Sequence, residues 1–162
     1  MSCQAPEPQR EHRWLQQLVG DWAYEGECSM GPDKSPESFA GTESVRSVGD
    51  LWIMGESHGT MPGGEPATSF ITLGFDPRQQ RFVGTWFGSM MAHLWIYDGA
   101  LDEAAKVLTL ESDGPGFEDQ TKTARYRDVY ELKSDGHRVL TASVRGDDGN
   151  WATFMISHYR RK

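Results

Sequence analysis

Gly20-Asp21-Trp22-Ala23-Tyr24-Glu25-Gly26-Glu27-Cys28-Ser29-Met30 alternates residue by residue, with Trp22, Tyr24, Gly26, Cys28 and Met30 on one side and Asp21, Ala23, Glu25, Glu27 and Ser29 on the other. Successive side chains of a β-strand point to opposite faces, so this stretch reads as a strand with one face on a core and the other in water. Just before it, Trp14, Leu15, Leu18 and Val19 form a short apolar stripe at helical spacing, which predicts one helix over Gln9 to Val19 with Gly20 placed to stop it.

Downstream the strand pattern repeats between turn signals. Strands are expected at Phe39 to Val48, Leu51 to Thr60, Thr68 to Phe75, Arg81 to Ser89, Ala92 to Leu101, Lys106 to Ser112, Lys122 to Lys133, Arg138 to Arg145 and Trp151 to Arg160, giving ten with the first. The links between them, such as Gly49-Asp50, Asp76-Pro77-Arg78 and Ser134-Asp135-Gly136, are hairpin-sized, while Asp113-Gly114-Pro115-Gly116 opens a longer loop. An all-β, closed up-and-down antiparallel barrel with one short N-terminal helix follows, because closure removes the edges an open sheet would expose. A two-sheet sandwich is the rival, and no long crossover link supports it. Ten strands make a barrel wide enough to leave a ligand-sized interior. Residues 1–8 read as a flexible leader and 9–162 as a single barrel domain.

The formal charge of −8, with the only basic cluster at Arg160-Arg161-Lys162, argues against nucleic acid as a partner. The longest apolar runs, such as Phe87 to Ile96, are broken by Gly, Ser and His and fall short of the roughly 20 residues that span a bilayer. The start of the chain lacks the apolar stretch of a signal peptide, and the two cysteines, Cys3 and Cys28, read as free thiols; a cytoplasmic protein without a membrane partner is expected.

Strand parity nominates residues for the interior. Phe82, Gly84, Trp86, Gly88 and Met90 share one face, and the two glycines either open space or mark bulges. His93, Trp95 and Tyr97 form an aromatic wall if they point inward, or a stripe suited to a homodimer contact if they point outward. Glu56 and His58, two apart on a strand, can share a proton, either in a pocket or as a solvent-facing pair. Arg127 is a candidate anchor for a carboxylate, with a surface ion pair to Glu131 or Asp128 as the competing reading. On the last strand Phe154, Ile156, His158 and Arg160 fall on the face expected to be inward. The five histidines are scattered with no metal-ligand spacing, so no metal site is expected, and no nucleophile elbow or phosphate loop is present.

Leu18-Val19-Gly20-Asp21-Trp22, Gly84-Thr85-Trp86, Ser89-Met90-Met91-Ala92-His93-Leu94-Trp95 and the ending His158-Tyr159-Arg160-Arg161-Lys162 resemble the bacterial family DUF1579, whose members have no established activity. Gly20-Asp21-Trp22 is similar to the Gly-x-Trp of lipocalin and fatty-acid-binding (calycin-like) barrels. That likeness implies that Arg160, from the last strand, packs over Trp22 and closes one end of the barrel. A further likeness, to the nitrobindins, raises haem as the one cofactor to consider, with His158 or His93 as its ligand; otherwise no cofactor is expected.

The function expected from these readings is binding of a small, mostly apolar molecule inside the barrel, at Glu56, His58, Trp86, Met90, His93, Trp95 and Arg127. The alternatives are a hydrolase or isomerase using Glu56, His58 and His93 as acid and base, a nitrobindin-like haem barrel, and a solid barrel that self-associates.

Overall fold

The computed structural model describes residues 3–29, 31 and 33–162, so what was read for Met1, Ser2, Met30 and Pro32 lies outside the described residues. Helix α1 (Arg10–Gln16) precedes ten strands: β1 (Gly20–Cys28), β2 (Glu37–Val48), β3 (Trp52–Thr60), β4 (Pro66–Asp76), β5 (Arg81–Gly88), β6 (Trp95–Leu101), β7 (Val107–Pro115), β8 (Thr123–Ser134), β9 (His137–Arg145) and β10 (Trp151–Arg161). Each strand runs antiparallel to its neighbours in sequence, and β1 also pairs with β10, so the sheet closes. This is the up-and-down barrel that the alternation predicts, and the sandwich is excluded. Among the described residues no helix is long and apolar enough to cross a membrane.

The local departures have local causes. The helix stops at Gln16, and Gly20 is the first residue of β1 instead of a helix cap. Its φ of 135° suits glycine, and a Cβ there would lie 2.6 Å from Arg161 Nη1. Ala92 to Leu94 belong to the β5–β6 loop. Asp113-Gly114-Pro115 extends β7 because each residue finds a partner on β8, at Arg125, Ala124 and Thr123.

Helix α1 packs across the end of the barrel where β1 begins and β10 finishes. His12 accepts the Gln9 amide at Nδ1 and donates from Nε2 to the Phe75 carbonyl at 3.0 Å, and the Trp14 indole donates to the Ala105 carbonyl at 2.6 Å. Trp14, Leu15 and Leu18 then meet Trp22, Val45, Ile53, Leu73, Phe75, Phe82 and Leu108 in a continuous buried cluster. This end is solid. One layer further in, Arg138 pairs with Glu43 at 2.5 Å, and Ser57 donates to the other Glu43 oxygen at 3.0 Å. The Arg138 guanidinium also lies 4.0 Å from the Tyr159 ring and 4.6 Å from Trp22, so this buried ion pair is held by further partners.

The expected closure of Trp22 by Arg160 is corrected to Arg161. In register Trp22 lies opposite Arg161, whose guanidinium sits 4.3 Å from the indole and donates to the carbonyls of Gln17, Val19 and Asp135. The cause is a β-bulge between Thr153 and Met155. Two successive residues, Phe154 and Met155, line the interior there, and parity reverses for the rest of β10. Ser157, Tyr159 and Arg161 therefore face in, and Ile156, His158 and Arg160 face out.

Candidate functional site

The two sides of the interior differ in how their glycines are used. On β2 and β3 the Tyr24 ring covers Gly41 and Gly59, where a Cβ would come within 2.4 and 2.5 Å of its hydroxyl oxygen. On the opposite side Trp86 of β5 and Trp95 of β6 are register partners. Gly114 makes room for Trp95, since a Cβ there would lie 2.2 Å from the ring, and Gly88 makes room for Trp86 and Met90, each 2.6 Å from its virtual Cβ. No register shift interrupts β5, so neither glycine is a bulge: Gly88 gives space to neighbouring side chains, and Gly84 lets the β4 backbone come close at Thr72.

Beside Trp86 and Trp95, at the end away from the helix, lies a cavity of about 670 Å³. That falls within the usual range of small-molecule sites, roughly 300–1,000 Å³. The β5–β6 loop supplies Met90, Met91, Ala92 and His93 to its mouth, and the β7–β8 loop supplies Phe117 and Gln120. Trp86, Trp95, Tyr126 and Phe154 form the walls; Tyr97, Ser112, Asp128 and Ala142, one step further along their strands, form the floor. The rings lock edge to face: Trp95 on Tyr126 at 4.8 Å, and Phe117 on Phe154 at 4.8 Å. The mouth is tied by His93 Nε2, which donates to the Asp113 carbonyl at 3.0 Å, by the Trp95 indole, which donates to Met91 Sδ at 3.1 Å, and by the Tyr126 hydroxyl, which donates to the Pro115 carbonyl.

The floor carries the cavity's one acid. Tyr97 donates its hydroxyl to Asp128 Oδ2 at 2.7 Å. Burial pushes the Asp128 carboxyl up to about 6, the Tyr97 hydrogen bond opposing that shift, and burial beside Asp128 holds the Tyr97 phenol well above its ordinary range. Among the described residues no lysine or arginine lines this cavity.

Of the residues the sequence nominates, Trp86, Met90, His93 and Trp95 come together here. His93, Trp95 and Tyr97 are the inward set, and Leu94 and Ile96 are the outward one. Glu56 and His58 do not reach the cavity. They pair at 2.5 Å on the outer face of β3, where both are largely exposed, because Ile53, Gly55 and Ser57 are the inward set of that strand. Arg127 also faces out: its guanidinium lies 3.9 Å from the Trp151 ring, and its neighbours Tyr126 and Asp128 take the interior. His158 stands on the outer wall, 3.0 Å from His137, beside an external groove of about 620 Å³ that Glu25, Glu27 and Ile156 also line. The acid-base set of Glu56, His58 and His93 is therefore not assembled.

The sequence reading missed Asp128, Tyr126, Phe117 and Met155 as members of the site, and it placed Tyr97 and Phe154 on candidate inward faces without naming them as ligand contacts. A signal existed on β8, where Tyr126, Asp128, Tyr130 and Leu132 are the more apolar set and Arg125, Arg127, Glu131 and Lys133 the charged one. One acid among apolar partners marks a buried carboxyl.

The family described as Protein of unknown function (DUF1579) matches residues 7–161. The chain belongs to the DUF1579 family. No curated protein matches this DUF1579 chain significantly. Among solved structures it is similar to Rv2717c from M. tuberculosis, with a TM-score of 0.65 and 13% identity over 96% of this chain and 99% of that one. It is also similar to the S-type phycobiliprotein lyase CPES from Guillardia theta, with a TM-score of 0.61 and 13% identity over 96% and 98% of the two chains. EF1p2_mFAP2b, solved bound to DFHBI, has a TM-score of 0.51 and 12% identity over 94% and 99%. At these identities the likeness is one of fold.

Proposed function

We propose that this DUF1579 protein binds one small, mostly apolar molecule in the cavity at the open end of its barrel. The observation that carries the reading is the contrast between the two ends: a packed plug under α1, and a cavity of about 670 Å³ walled by four aromatic rings opposite it. A barrel of this general architecture solved with DFHBI bound supports the idea that such a container holds a single small molecule.

The test is Nile red fluorescence on wild type and on Ala142→Phe, which places a ring on the cavity floor beside Asp128. The wild type should enhance the dye saturably, and the variant should lose most of that signal while keeping its β-sheet circular dichroism. Equal enhancement by both, or none by the wild type, refutes the reading. Haem does not fit this site. His158 is on the outer wall, and His93 Nε2 is engaged by the Asp113 carbonyl, so β10 offers iron no interior imidazole. Added hemin should give no Soret band that His158→Ala removes.

A further inference from the structure

The polar groups of the cavity are unevenly divided between donors and acceptors. Its strongest donors already have protein acceptors: Tyr97 donates to Asp128, Tyr126 to Pro115, His93 to Asp113 and the Trp95 indole to Met91. Ser112, Gln120 and the Trp86 indole are neutral, so none of them supplies the positive charge that would balance an anion. Asp128 is the reverse case. Its Oδ2 accepts the Tyr97 hydroxyl, and its Oδ1 has no hydrogen-bond partner among the described residues while the carboxyl lines the cavity floor. A carboxylate acceptor left open at the base of an aromatic well is matched by a cationic N–H donor, through a charge-assisted hydrogen bond below and ring faces around it.

We infer, building on the proposed binding function, that the cavity selects small, flat organic cations carrying an N–H donor that reaches Asp128, and rejects carboxylates of the same shape. A carboxylate ligand would bring a second negative charge beside Asp128 where no lysine or arginine stands to balance it. The anchor arrangement of a fatty-acid binder is absent, since Arg127 lies outside the wall and Arg138 is paired with Glu43. The aromatic rings add a second reason. Trp86, Trp95, Tyr126, Phe117 and Phe154 surround the space above Asp128, and their faces attract a positive charge that has been taken out of water.

Three probes of one ring size test this: 9-aminoacridine (cationic, with N–H donors), acridine (neutral, no donor) and acridine-9-carboxylate (anionic). Binding is measured by isothermal titration at pH 7.5 and an ionic strength of about 0.5 M, where long-range attraction to the chain's net charge of −8 is screened. The expected result is 9-aminoacridine binding at least about tenfold tighter than acridine-9-carboxylate, as one charge-assisted hydrogen bond would give. Asp128→Asn should remove most of that preference; Tyr97→Phe, which frees Oδ2 and keeps the carboxylate, should retain the order of the three probes. The wild-type series is decisive even if either variant folds poorly. Equal binding of all three probes, or a preference for the carboxylate, overturns the cation assignment while leaving the cavity reading intact. Failure of all three probes together with failure of Nile red overturns both.

Discussion

Replacing Asp128 by asparagine should make the barrel more stable at neutral pH and change its stability little in acid. The folded chain holds the Asp128 proton more tightly than an unfolded chain does, because ionisation would place a charge within the barrel floor. The gap between an ordinary carboxyl near 3.8 and about 6, at about 1.4 kcal/mol per pH unit, amounts to about 3 kcal/mol. Because the raised value belongs to an acid, the associated stability is fully present below about 3.8 and is lost as pH rises through about 6. Water in the cavity reaches the carboxyl and reduces the cost, so about 1 to 3 kcal/mol is expected. Asparagine keeps a carbonyl for the Tyr97 hydroxyl but cannot ionise. Urea unfolding of wild type and Asp128→Asn at pH 4.5, 6 and 7.5 measures this directly. The advantage of the variant should rise mostly between pH 4.5 and 6 and level off by 7.5, and a difference that stays constant from 4.5 to 6, or that shrinks toward neutral pH, would refute the burial argument.

Other substitutions separate the remaining claims. Arg161→Ala should cost about 1–2 kcal/mol by removing the guanidinium from Trp22 and its hydrogen bonds to three carbonyls, whereas Arg160→Ala should stay within about 0.5 kcal/mol; paired thermal melts decide which arginine closes the barrel. Gly114→Ala drives a methyl into the Trp95 ring, so a loss of about 1–3 kcal/mol in urea and a redder tryptophan emission are expected. Arg138→Met leaves Glu43 buried without its cation and should cost about 3–5 kcal/mol, most of which the double replacement Glu43→Leu with Arg138→Met should restore in a denaturation cycle.

The barrel was legible because its physics is local. Period-two alternation and turn chemistry act within a few residues, and Gly49 and Asp50, both at positive φ, make the tight hairpin that their types predict. The site was only half legible. Trp86, Met90, His93 and Trp95 sit on adjacent elements beside the mouth, where an aromatic cluster stands out in the sequence. The face of Glu56 and His58 was ambiguous because β3 carries Trp52 and Met54 on the same outer side, and large apolar residues there imitate a core face. On β10 one extra residue at the bulge, with no glycine to announce it, reversed the inferred direction of everything after Phe154. Which of two faces contains a cavity depends on side chains from four or five strands at once, and no single strand's pattern encodes that.

The plug of α1 beneath Trp22 makes the barrel a blind sac and not a tube. Whatever enters must leave by the same rim, past Met91, His93 and Phe117. A guest that seats its polar end on Asp128 therefore has to travel head first and depart tail first, and the portion beside the rim is the last to enter and the first to emerge. Chemical tags on a guest would be tolerated at that trailing end alone. Substitutions in the two short loops that carry the rim residues would accordingly alter how fast a guest comes and goes even when every contact at the base of the well is unchanged.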